Sequence, residues 1–98
     1  MPRYLVIGKV TLAPGSRPLA ERVADQGGQG FAQLPGYKDA TFLLDEARNE
    51  YGALSVWESQ AAAERSVEAT TPQFRQALAE VLQGEIERRV YEIYEHQR

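Results

Sequence analysis

Any chemistry in this chain has to come from phenols, one indole and scattered charged side chains. Tyr4, Tyr37, Tyr51, Tyr91 and Tyr94 are five phenols in 98 residues, and each could orient a quinol or phenol by hydrogen bonding. Trp57, the single indole, could stack on a planar substrate or donate its N–H to a reactive oxygen. Equally, it could be a core aromatic of a hairpin strand. Asp39, Asp45, Glu58 and Arg75 could act as acid, base or anchor if burial takes them out of water. The paired carboxylates Asp45-Glu46 and Glu85/Glu87 fit a solvated turn and a strand edge better than acid–base catalysis.

Missing residue types exclude whole classes of function. With no Cys there is no disulfide framework, no thiolate metal site and no thiol nucleophile. The only His is His96, close to the terminus, so a two-His metal site within one chain is impossible and a Ser-His-Asp triad would rest on a fraying end. No metal site is expected. Eleven basic against fourteen acidic side chains leave a net charge of −3, without the clustered Lys and Arg that nucleic acid requires. The nearest basic pair, Arg88-Arg89, is flanked by Glu85, Glu87 and Glu92 and reads as a solvated, internally balanced strand. Gln26-Gly27-Gly28-Gln29-Gly30 lacks the preceding strand and the following Lys-Ser/Thr of a phosphate loop. No apolar run approaches the roughly 20 residues of a membrane span. Met1-Pro2-Arg3-Tyr4 leads straight into a strand-like run without a signal-peptide pattern, so the expected location is the cytoplasm.

These side chains must be positioned by a short series of elements. Arg3 to Ala13 is apolar on both parities, which reads as a strand buried on two sides. Ala13-Pro14-Gly15-Ser16 makes a turn with Ser16 as helix N-cap. Leu19, Val23, Gly27, Gly30, Phe31 and Leu34 then form the inward stripe of an amphipathic helix, which Pro35-Gly36 ends. Tyr37 to Ala47 and Tyr51 to Glu58 read as a hairpin. Ser59 caps a run of good helix formers from Gln60. Thr70-Thr71-Pro72 interrupts it, with Thr71 a second N-cap and Pro72 at the first helical position. Phe74, Leu78, Val81 and Leu82 supply another inward stripe, Gly84 stops it, and Glu85 to Glu95 closes the chain as a strand.

The order β-α-β-β-α-β predicts an α+β, ferredoxin-like domain over residues 1–98, a four-stranded antiparallel sheet with both helices on one face. The opposite sheet face is then apolar and needs a cover. A second copy, packed about a two-fold axis, is the economical solution, so a homodimer is expected.

Three segments carry a further resemblance: Pro35-Gly36-Tyr37 between the first helix and second strand, Val56-Trp57-Glu58-Ser59 running into an Ala-rich helix, and Thr71-Pro72-Gln73-Phe74 opening the next. Together they resemble the antibiotic biosynthesis monooxygenase (ABM) family of dimeric α+β barrels, over nearly the whole chain from Tyr4 to Tyr94. The resemblance implies a homodimer joined through the helix-free sheet face, with a small aromatic ligand bound inside each protomer between sheet and helices. It implies no cofactor and no nucleic-acid or membrane partner. The family includes cofactor-independent oxygenases for phenolic polyketides, quinol monooxygenases, haem-degrading enzymes and members with no established reaction.

The resemblance makes Trp57 a candidate for both catalysis and ligand binding. Side-chain type adds Tyr37 and Arg75 as catalytic candidates, and the inward helix stripes add Gly27, Gly30, Phe31 and Phe74 as candidates for ligand binding. Gly27 and Gly30 lie on the inward stripe at a cost of roughly 1 kcal/mol each relative to Ala. They suggest room for a ligand, or else close helix–sheet packing. Polyketide oxygenases resembling this chain place an asparagine, a tyrosine and an arginine where it has Ala53, Ala63 and Ala77. Haem-degrading members need a helical histidine on the turn after a phenylalanine that matches Phe74; Leu78 stands there instead. Two readings follow: a cofactor-independent monooxygenase for a small phenolic or quinol-type aromatic, or a non-catalytic dimer that binds a small ligand or a protein partner.

Overall fold

The computed structural model describes residues 2–97. Strand β1 (Tyr4–Leu12) leads to helix α1 (Arg17–Ala32), then β2 (Tyr37–Asp45), a single 3-10 turn (Glu46–Arg48), β3 (Glu50–Trp57), helix α2 (Gln60–Ala77) and β4 (Leu82–Glu92). The strands form one antiparallel sheet in the order β2-β3-β1-β4. This is the predicted ferredoxin-like arrangement. No helix among the described residues is long and apolar enough to cross a membrane.

The central strand sets the geometry of everything else. In β1, Tyr4, Val6 and Gly8 pair with Trp57, Ser55 and Ala53 on one side, while Val6 and Gly8 pair with Val90 and Arg88 on the other. Because strand side chains alternate, these residues share the face covered by the helices. Leu5, Ile7, Leu54, Val56, Leu43 and Tyr91 belong to the opposite face, where Ile7, Leu43 and Tyr91 are exposed. That open face is apolar at its centre.

The core under the helices has two parts. Val6, Phe31, Trp57, Ala62 and Ala63 form one buried cluster; Leu12, Ala20, Val23, Tyr51 and Leu78 form the other. Phe74 is only partly buried and packs against both. Full burial of a side chain such as Phe31 contributes roughly 1.5–3 kcal/mol, so the clusters anchor the two ends of the layer. The ground between them is less filled.

Local signals act mostly as read. The Ser59 hydroxyl accepts from Ala62 N–H at 3.1 Å and caps α2. Ser16 does occupy the N-cap of α1, but its hydroxyl donates back to the Ala13 carbonyl at 2.6 Å instead of accepting from the helix. Gly36 adopts φ +85°, and a Cβ there would lie 2.6 Å from the Ala62 Cβ. The turn therefore requires glycine, and its carbonyl accepts from Glu58 N–H at 2.9 Å, locking the start of β2 to the end of β3.

Several expectations are corrected. The second strand ends at Asp45, not Ala47, because Asp45 caps the 3-10 turn by accepting from Arg48 N–H. Thr71 caps nothing: α2 runs unbroken from Gln60 to Ala77 with Pro72 inside it. A proline inside a helix removes one backbone hydrogen bond and costs about 3 kcal/mol. Thr70 and Thr71, which precede Pro72, are engaged through their hydroxyls by Arg88 from β4. Helix α2 also ends earlier than the apolar stripe suggests, so Val81 lies between elements and Leu82 opens β4. Gly84 is not a stop but a left-handed residue within β4, φ +84°, beside the register shift between Lys9 and Thr11 of β1.

Candidate active site

A cavity of about 80 Å³ lies between the helix-covered sheet face and the two helices. Val6, Val10, Phe31, Phe42, Phe74 and Leu78 make its apolar walls, and the small residues Gly8 and Ala53, paired at the sheet centre, leave it open there. Ser55, Tyr51, Lys9 and Arg88 are the polar residues around it; no Asp, Glu or His lines it. Lys9 belongs by strand alternation to the opposite face and pairs with Glu50 at 3.3 Å. Ser55, the buried Tyr51 and Arg88 therefore supply its polar character.

Ser55 is 1% exposed. Its Oγ accepts the Trp57 indole N–H at 2.8 Å, and among the described residues nothing accepts its own O–H. A buried hydroxyl held on one side is poised to donate on the other.

Arg88 reaches from β4 under helix α2. Its Nη1 donates to Thr70 Oγ1 at 2.7 Å and to Thr71 Oγ1 at 3.0 Å, and the guanidinium lies 5.6 Å from the centre of the Phe74 ring. Thr70 Oγ1 passes a hydrogen bond on to the Ser66 carbonyl at 2.7 Å, and Ser66 donates to Ala63 O at 2.7 Å. Among the described residues Arg88 has no carboxylate partner; the ion pairs present use Lys9, Arg17 and Arg48. Burial pushes its guanidinium down to about 10, so it remains a cation at neutral pH. The cavity thus combines apolar walls, the Ser55 hydroxyl, the Tyr51 phenol and one unneutralised positive charge.

The sequence of residues 3–80 matches the family model described as antibiotic biosynthesis monooxygenase. The chain belongs to the antibiotic biosynthesis monooxygenase family. No curated protein matches it. Solved structures share its fold: SnoaB, a cofactor-independent oxygenase from Streptomyces nogalater, is 21% identical with a TM-score of 0.74, over 98% of this chain and 97% of that one. A putative antibiotic biosynthesis monooxygenase from Bordetella bronchiseptica is 15% identical with a TM-score of 0.78, over 96% and 99% of the two chains. The NE2512 protein of unknown function from Nitrosomonas europaea is 11% identical with a TM-score of 0.78, over 100% and 95%. At these identities the likeness is one of fold.

Against this ABM fold, the residues singled out from sequence separate cleanly. Phe31 and Phe74 line the cavity. Trp57 does not line it; it is fully buried behind the wall, edge-on to Phe31 at 6.0 Å and to Tyr37 at 5.7 Å, with its N–H committed to Ser55. Tyr37 is half-buried against it, and Arg75 is exposed on the outer side of α2. A Cβ at Gly27 would lie 2.8 Å from the Phe74 ring, so that glycine makes room for Phe74 and not for a ligand. Gly30 is exposed, with nothing within 4 Å of a Cβ, and leaves the inward stripe. Asp39 and Glu58 are exposed, and Tyr91 and Tyr94 face outward. Ala53 and Leu78 line the cavity, while Ala77 is exposed.

Two site residues escaped the sequence reading. Arg88 is not part of a solvated strand face; only Arg89 is. The signal was present in the parity Ile86-Arg88-Val90, which sets Arg88 in line with two apolar neighbours. Ser55 shares parity with Trp57 but carries no distinguishing spacing.

Proposed function

We propose that this ABM protein is a cytoplasmic homodimer that binds a small electron-rich aromatic in the cavity between sheet and helices and oxygenates it without a cofactor. The observation that carries the reading is the cavity itself, apolar on most of its walls, with the Ser55 hydroxyl, the Tyr51 phenol and the Arg88 guanidinium as its polar groups on the helix-covered face. In such a reaction an activated methylene gives up its two hydrogens and dioxygen supplies both a new carbonyl oxygen and a molecule of water. The substrate is its own reductant. What the protein must supply is a dry space and fixed donors for the anion formed when the substrate loses a proton. Ser55 and Arg88 are donors of that kind, and Phe31, Phe42 and Phe74 exclude water around them.

One observation favours a second reading. Among the described residues no carboxylate or imidazole lines the cavity, so they offer no obvious base for the proton of a carbon acid. A non-catalytic dimer that stores or senses a small ligand needs only the cavity. Oxygen uptake with a panel of one-ring quinols and phenols, wild type against Ser55→Ala, decides between them. Turnover above the buffer rate that falls in the variant supports the oxygenase; saturable binding with no uptake leaves the binder.

The dimer rests on the open sheet face, where Leu5, Ile7, Leu54, Val56, Leu43 and Tyr91 form an apolar surface that one chain leaves uncovered. A second copy covers it with the same residues. Sedimentation velocity at micromolar concentration is expected to give a dimer; a monomer there refutes this assembly.

A further inference from the structure

Arg88 is an unusual residue to find under a helix. A charge removed from water is normally neutralised by an ionised partner, because an unpaired one is costly. Here the partners are two neutral hydroxyls, both on Nη1. The guanidinium has five N–H groups in a planar fork, and the two threonines occupy only one corner. Nε–H and the Nη2 hydrogens have no protein acceptor among the described residues. That free edge is the one that matches two oxygens of an anion side by side.

The surroundings hold the fork in place. Gly8 stands opposite Arg88 in the ladder, and a Cβ at Gly8 would lie 3.6 Å from Arg88 Nε. The side chain therefore lies over the Gly8 backbone with room for little more than a methyl group between them. Phe74 covers it from the helix side. The side chain is pinned at both surfaces and at Nη1, so little rotamer freedom is lost when an anion docks.

We propose that the cavity selects an anionic ligand: a compact apolar molecule of about one ring carrying a single carboxylate or phenolate, whose oxygen pairs with the Nε/Nη2 edge of Arg88. The inference rests on the cavity being a ligand site and goes beyond it by naming the charge and size. Size follows from volume, since a cavity of about 150 Å³ admits benzene and this one is about 80 Å³. A single ring enters if the partly buried Phe74 yields. A fused polycyclic ligand does not.

The test is isothermal titration of the intact protein with four probes: benzoate, 4-nitrophenolate, and the neutral benzamide and nitrobenzene. Wild type is expected to bind at least one anion roughly 10- to 100-fold more tightly than its neutral counterpart, as hydrogen bonds to a charged group allow. Whichever anion binds more tightly identifies the source of the charge. Arg88→Met is expected to abolish the preference while still binding the neutral probes, and Arg88→Lys to keep a preference for anions with weaker benzoate binding. Arg22→Met, on the exposed outer side of α1, is expected to change nothing. If Arg88→Met does not fold, Arg88→Gln reads the same quantity. Equal binding of charged and neutral probes by wild type, or a preference that survives in Arg88→Met, overturns the proposal alone. No binding of any probe overturns the cavity reading and this inference with it.

Discussion

Gly8 and Arg88 face each other across the β1–β4 ladder, so close that a Cβ added to Gly8 would touch the Arg88 side chain. A methyl group at Gly8 would meet Arg88 at ordinary van der Waals distance, 3.6 Å. Gly8→Ala is therefore expected to change stability by no more than about 0.5 kcal/mol. Gly8→Val, with two more carbons in the same place, must push the guanidinium off the sheet and is expected to cost about 1–3 kcal/mol. Thermal unfolding of the two variants checks the contrast, and only the valine variant is expected to lose the preference for anionic probes.

Gly27 has the opposite role. Alanine there improves helix propensity by about 1 kcal/mol, yet its Cβ would lie 2.8 Å from the Phe74 ring. The collision outweighs the gain, so Gly27→Ala is expected to lower stability by about 1–2 kcal/mol. Phe74→Leu removes the obstructing ring edge. In a double-mutant cycle by denaturant titration, Gly27→Ala is expected to be less harmful in the Phe74→Leu background; additive effects would refute the contact.

Trp57→Phe tests whether the indole is structural. The change opens space in a fully buried site and removes the donor that Ser55 Oγ accepts. A loss of about 2–4 kcal/mol in unfolding free energy is expected. Binding of the one-ring probes is expected to survive, because Trp57 stands behind the wall and not in it.

Arg88 makes stability depend on pH at the alkaline end. Burial disfavours the charged form and lowers the guanidinium from the usual arginine range to about 10. The folded state thus holds this proton less tightly than the unfolded chain does. The resulting penalty is fully present below about pH 10 and is relieved as pH rises above it. Arg88→Met is accordingly expected to keep or raise the melting temperature at pH 7. Its advantage over wild type is expected to shrink above pH 10. A variant clearly less stable at pH 7 would show that the threonine contacts outweigh the buried charge.

Much of the architecture is legible in local pattern. The capping Ser59 and the Gly36 turn act over a few residues, and each acts in the structure close to where it was read. Strand β1, by contrast, was read as buried on two sides, but it is covered by the helices on one face and exposes Ile7 and Lys9 on the other. Misreadings arise where a local rule meets a distant partner. Thr71-Pro72 has the form of a helix start, but Arg88 engages both threonines from a strand 17 and 18 residues away in sequence and the helix runs through. Gly27 looks like space until Phe74, from the other helix, is placed in it. Arg88-Arg89 looks like one charged patch until the strand alternates and sends the two side chains to opposite faces.

By itself, the sequence determined the number, type and order of the elements, because hydrophobic period and turn chemistry act within one element at a time. It also determined the chemical poverty of the site: with no Cys and one His near the terminus, only phenols, hydroxyls, an indole and charged side chains were available. Tertiary structure alone decided which of them meet. Trp57 was withdrawn into the core, Arg75 was left in solvent, and Ser55 and Arg88 were brought to one cavity. That choice depends on the β1 register and on two helices packing over it. Both are long-range contacts whose energy is shared among many residues, so no single stretch of chain carries their signature.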